Sequence, residues 1–138
     1  MLEKYPKELK IVFKNFPLQM HKFAYPASVA ALAAERQGKF REYHDKLFAA
    51  GPGMSETTMQ DIAKELELDV EKFNKDLNDP AIHVLINRDF NEGVQAEVNG
   101  TPALYVNGKV VKNRSAEGIG QMIEQEIGKT TLKKEKKK

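Results

Sequence analysis

Apolar residues alternate along the first part of the chain. In residues 9–18, LKIVFKNFPL, the side chains Leu9, Ile11 and Phe13 fall to one side before Pro17, and the spacing predicts a strand. The period then lengthens. After a polar link at 19–22, residues 24–37 are dense in alanine, which predicts a helix packed closely against its neighbours and ended by Gly38. In residues 39–50, Phe40, Tyr43, His44, Leu47 and Phe48 recur at steps of three and four, and Gly51-Pro52-Gly53 breaks the run. Ser55 is placed to cap a helix carrying Met59, Ile62, Ala63 and Leu66, and Asp69 to cap a short one over 70–77. A longer helix is predicted from Pro80, with Ile82, Leu85, Ile86, Asp89, Phe90, Gly93, Val94 and Val98 on a mostly apolar face and Asn99-Gly100 as its stop.

The pattern then returns to period two. Residues 103–106 read as a strand, Asn107-Gly108 as a two-residue hairpin turn and 109–111 as the returning strand. Ser115 caps a last helix, predicted to run from Ala116 to about Ile127 with Ile119, Met122, Ile123 and Ile127 inward. The order is strand, helical block, hairpin, helix, without an internal repeat.

Composition narrows the chemistry. The chain has 138 residues, near the commonest size for one domain. No apolar run approaches the roughly 18 to 20 residues of a membrane span, and residues 1–10 offer no signal-peptide core. There is no cysteine, which excludes disulfides, thiolate metal sites and any chemistry run by a thiol of this chain. Net charge is +2, but six lysines and one glutamate crowd residues 129–138 and leave the body mildly acidic. This tail is expected to be a solvated, disordered end; contact with nucleic acid or anionic lipid is the alternative.

The usual site signatures are missing. His21, His44 and His83 are far apart and lack paired zinc-helix spacing, so no metal is expected; His44 is placed in or beside the core and the other two on the surface. There is no nucleophile elbow, no phosphate-binding glycine loop and no aromatic platform for bases, so no cofactor and no nucleic acid partner are expected. Glu65, Glu67 and Asp69 read as a solvated face. One stretch is distinctive: Gly100, Thr101 and Pro102 opening the strand ALYV, then Asn107-Gly108. Proline suits the first residue of a strand, and a cis peptide at Thr101-Pro102 fits a short helix-to-strand turn; a trans proline that merely opens the strand is the alternative.

With its closing helix, that stretch resembles the DsbA-like thiol:disulfide oxidoreductases of the thioredoxin superfamily. The front is similar too, in KIVFKNFPL, in the helix with Ala27, Ala30, Ala31 and Ala34, and in GKFREYHDKLF at 38–48. The resemblance implies an α/β, thioredoxin-like fold with an inserted helical block at about 24–98, in one domain over 1–128. The first strand and the CxxC motif would be missing from this chain, whose residues 2–5 look like the end of the motif's helix. It further implies disulfide exchange through a low-pKa cysteine, although this cysteine-free chain is expected to be inactive alone. Gly100, Thr101 and Pro102 would meet an extended polypeptide substrate, Thr101 through its backbone. A periplasmic or exported setting is implied as well.

Two alternatives stay open: a cysteine-free peptide-binding or assembly module on the same fold, and the glutathione-dependent isomerase branch. In the fold that the resemblance implies, the missing strand lies between 9–16 and 103–106. The open sheet edges left behind predict self-association.

Overall fold

The computed structural model describes residues 1–137. They divide into two compact units: Lys14–Asn99, and a second unit formed by Met1–Phe13 with Gly100–Lys138. The single domain expected over 1–128 takes in residues of both units, and the first unit contains the helical block expected at about 24–98.

The Lys14–Asn99 unit holds α1 (Ala24–Glu35), α2 (Phe40–Ala50), a 3-10 turn (Gly51–Gly53), α3 (Glu56–Glu65), α4 (Val70–Leu77) and α5 (Pro80–Gln95). Its centre is α1, whose residues Val29, Ala30, Ala31, Leu32, Ala33 and Ala34 are all buried and which packs on each of α2 to α5. Alanine explains this position: a methyl side chain lets four helices approach one axis, at no rotamer cost. Tyr43 and Phe73 fill the space around it with ring centroids 5.8 Å apart, and Tyr43 Oη donates to the Met59 carbonyl at 2.8 Å. Burying each such ring contributes about 1.5–3 kcal/mol.

Helix boundaries follow local chemistry. Ser55 and Thr58 form a reciprocal capping box, while the Asp69 and Asp79 side chains accept from Lys72 N–H and Ala81 N–H. The long helix stops sooner than its apolar face predicts. It ends at Gln95 rather than at Asn99-Gly100, because Glu97 adopts φ 61° and the Val98 and Glu97 N–H groups bond back to the Gly93 and Val94 carbonyls. This is a Schellman cap, and it folds Val98 back against the helix it was expected to extend.

The second unit holds β1 (Tyr105–Val106), β2 (Lys109–Val110) and α6 (Ala116–Lys136). Its buried side chains are Tyr5, Val111 and Ile123. The strands pair antiparallel, Tyr105 opposite Val110 and Val106 opposite Lys109. Asn107 and Gly108 both have positive φ, 47° and 78°, the type I′ geometry that Asn-Gly favours because its twist matches that of the strands. Both strands are shorter than the sequence predicts, although Val111 N–H still reaches the Leu104 carbonyl at 2.8 Å.

Two expectations are corrected. The strand predicted over 9–18 does not form: these residues join no ladder among the described residues, and Ile11 and Val12 are 44% and 61% exposed. Alternation records a preference for a half-buried sheet, but a strand exists only beside a neighbour. The last helix, in turn, does not end near Ile127. It continues to Lys136, so the lysine-rich segment expected to be disordered is helical through that residue. Lysines near a helix C-terminus oppose the negative end of its dipole, which favours the added turns.

Candidate functional site

The loop between α5 and β1 is built from the residues singled out in the sequence. Gly100 is half-buried, Thr101, Pro102, Ala103 and Leu104 are exposed, and the Thr101–Pro102 peptide bond is cis. Thr101 and Ala103 are exposed and lie outside the ladder at the entry to β1. Sequence reasoning missed the residue that holds this loop. Arg114 Nη1 donates to the Pro102 carbonyl at 2.6 Å, across the hairpin. An arginine just before a helix cap carries no signature of such a role, and only the hairpin's return brings it there.

The loop rests on α6 through the same hairpin. Lys109 and Asn107 reach Glu126, which Lys129 also contacts at 3.2 Å, and the hydrogen bonds from the two lysines, with a smaller share from Asn107, pull the Glu126 carboxyl down to about 2. Ser115 caps α6 through Gly118 N–H at 3.0 Å. At the other end of this unit Tyr5 Oη donates to Glu124 at 2.6 Å and Lys4 pairs with the same carboxylate at 3.0 Å, fastening the first residues to α6. The site is therefore an exposed loop on a cross-braced hairpin, and its residues Gly100, Thr101, Pro102 and Ala103 carry no thiol, imidazole or carboxylate.

The histidines are not brought together. His83, expected on the surface, is half-buried, with Tyr25 Oη at 2.8 Å and the Leu77 carbonyl at 3.2 Å from its ring nitrogens. Its position between α1 and the turn after α4 supplies both partners. His44 sits beside the Phe40 and Phe48 rings, with Asp45 at 3.1 Å. His21 is exposed on the rim of a half-open apolar cleft of about 480 Å³ lined by Met20, Phe23, Ala27, Pro52 and Met54. Among the described residues, no group of three His, Asp or Glu side chains converges as a metal site would require.

A buried carboxylate also escaped the sequence reading. Asp89, placed there on a mostly apolar face, is 4% exposed; its Oδ2 accepts from Asn15 N–H at 3.1 Å and Asn15 Nδ2 at 2.9 Å. Lys14 Nζ and Arg88 Nη2 each stand 3.7 Å from Oδ1. An acid among Ile82, Ile86 and Phe90 was the available signal. Phe16 follows it onto α5, stacked on Phe90 at 4.6 Å.

Comparison with known proteins supports the fold directly. The family model described as thioredoxin matches residues 1–125. A solved structure, a thioredoxin-like oxidoreductase from Silicibacter pomeroyi, is 29% identical with a TM-score of 0.70, and the match covers 86% of this chain and 68% of that one. Among curated proteins, a Na(+)/H(+) antiporter NhaA 1 from Salinispora arenicola is 34% identical over 102 residues, 73% of this chain and 16% of that protein. A Na(+)/H(+) antiporter NhaA from Herminiimonas arsenicoxydans is 31% identical over 102 residues, 74% of this chain and 16% of that protein. The chain thus spans about a sixth of the length of these antiporters, and no helix among the described residues is long and apolar enough to cross a membrane.

Proposed function

Because this chain belongs to the thioredoxin superfamily, in its DsbA-like family, we propose that its Gly100–Thr101–Pro102 loop is the polypeptide-facing edge of a protein thiol:disulfide exchange site. The observation that carries the reading is that Thr101 and Ala103 are exposed, outside the two-residue ladder, on either side of a cis Pro102 whose carbonyl is fixed by Arg114. An extended substrate segment would add there as a further strand, with main-chain hydrogen bonds giving affinity without sequence preference. Exchange also needs a thiolate to attack the substrate disulfide. Residues 1–138 contain no cysteine, so this chain supplies recognition and no sulfur. An oxidising, extracytoplasmic compartment suits the role, since protein disulfides persist there.

Two measurements test the reading. In the reduction of insulin by dithiothreitol, turbidity should develop at the buffer rate with the chain present. In an NMR titration with an unfolded, alkylated polypeptide, the amides of Gly100, Thr101 and Ala103 should shift. Catalytic turnover, or shifts confined to the cleft beside Met20 and Met54, would reject it.

Exposed apolar side chains support a second reading, self-association. Ile11 and Val12 are 44% and 61% exposed in a stretch of strand-favouring composition, and exposed apolar chain of this kind pairs readily with another copy. Light scattering should then show a dimer that Val12→Lys dissociates. A monomer at high concentration would reject the pairing.

A further inference from the structure

The last turns of α6 form an organised charged surface. Lys129, Lys133 and Lys136 are exposed and spaced i, i+4, i+7, and Lys137 follows as the C-cap at i+8. At 3.6 residues per turn these four cations share one face of the helix. Glu135 falls on the opposite side. Lys129 pairs with Glu126, yet Lys133 has lysine at both i−4 and i+4, an arrangement in which neighbouring charges repel. Each lysine alone suits a helix C-terminus; together they call for an external anion.

The remaining side chains say what kind of anion fits. The segment 129–137 has no arginine to fork onto bases and no aromatic ring to stack on them. Its two hydroxyls are engaged inside the helix, Thr130 Oγ1 donating to the Glu126 carbonyl and Thr131 Oγ1 to the Ile127 carbonyl, both at 3.1 Å. What is left is point charges on long apolar stems and one large apolar side chain, Leu132, 59% exposed at the flank of the lysine face.

We propose that the Lys129, Lys133, Lys136 and Lys137 face of α6, with Leu132 beside it, docks on the surface of an anionic lipid bilayer. The ammonium groups would lie in the headgroup layer while their methylene stems and Leu132 rest against the acyl boundary. Clusters of four or more lysines on one helix bind acidic headgroups in this way, through the surface potential. Such contact does not insert the helix, and it weakens as salt screens it.

The test is co-sedimentation of the full chain with phosphatidylserine-containing vesicles, with pure phosphatidylcholine vesicles as control. Binding should appear only with the acidic vesicles and fall steeply with salt. The double variant Lys133→Gln and Lys136→Gln should bind roughly thirtyfold more weakly, with its helical circular dichroism retained. Leu132→Ala should weaken binding at low salt and leave the salt dependence unchanged. Equal binding to both vesicles, no loss in the double variant, or stronger capture by duplex or single-stranded DNA than by acidic vesicles would overturn the proposal.

Discussion

Arg114 reaches across the hairpin to hold the Pro102 carbonyl of the exposed loop at 2.6 Å. Both partners are exposed, so Arg114→Ala should change global stability by less than about 0.5 kcal/mol. Its effect should be local. Hydrogen exchange at Thr101, Ala103 and Leu104 is expected to speed up while α6 keeps its protection, and unchanged exchange would show that the tie does not order the loop.

Asp89 fastens the residues preceding α1 to α5 through two hydrogen bonds from Asn15. Asp89→Ala leaves the Asn15 N–H without its acceptor and should cost about 1.5–3 kcal/mol by urea denaturation. Asp89→Asn keeps an acceptor oxygen and should cost less.

Gly93 shows two effects of similar size opposing each other. Alanine in place of glycine inside a helix gains about 1 kcal/mol. Here the added Cβ would stand 2.7 Å from Phe16 Cδ2 and Cε2, so the ring must leave its stack on Phe90. Losing that pair costs about 0.5–1.5 kcal/mol. Gly93→Ala should therefore leave the melting temperature nearly unchanged and displace Phe16 in a structure of the variant. A full gain with the stack intact would contradict this.

Burial raises the Tyr43 phenol above its ordinary 10.0. Above pH 10 the unfolded chain releases this proton while the folded one keeps it, so stability falls as pH rises past that value. Tyr43→Phe should remove this share of the alkaline loss, at a cost near neutral pH of about 0.5–1.5 kcal/mol for the hydrogen bond to Met59. Denaturation midpoints from pH 7 to 11 measure both.

Glu126 behaves oppositely. Lys109, then Lys129, lower its carboxyl from 4.5 to about 2. Its contribution is complete above about pH 4.5 and disappears as pH falls toward 2, because the unfolded chain takes up the proton first. Glu126→Gln should flatten the acid limb of stability over that interval and free the hairpin from α6.

Elements whose signals are local were legible in advance. Ser55, Asp69 and Ser115 cap as their side chains dictate, and Asn107-Gly108 turns as its two positive φ angles require. The Gly100–Pro102 loop was likewise visible, since proline at a strand entry beside a hairpin turn is a short-range pattern. What failed depends on distant partners or on competing local caps. Residues 9–18 have strand chemistry but join no ladder among the described residues, and Glu97 ends α5 in a conformation that a glutamate does not advertise. Arg114 and Asp89 act on residues reached only after the chain folds back, so Arg114 carried no local mark and Asp89 only that of an acid on an apolar face.

The division of the chain also sets an order of events during synthesis. Lys14–Asn99 is continuous and rich in contacts between successive helices, so it is able to fold as soon as it leaves the ribosome. The other unit needs Met1–Phe13 and Gly100–Lys138 at once. Met1–Phe13 precede the helical body in the chain and wait, with Tyr5 bound for Glu124, until α6 has been made. Through that interval the apolar run from Leu9 to Val12 waits for the rest of its own unit. A nascent chain is therefore most dependent on a chaperone after the helical body is complete and before α6 arrives.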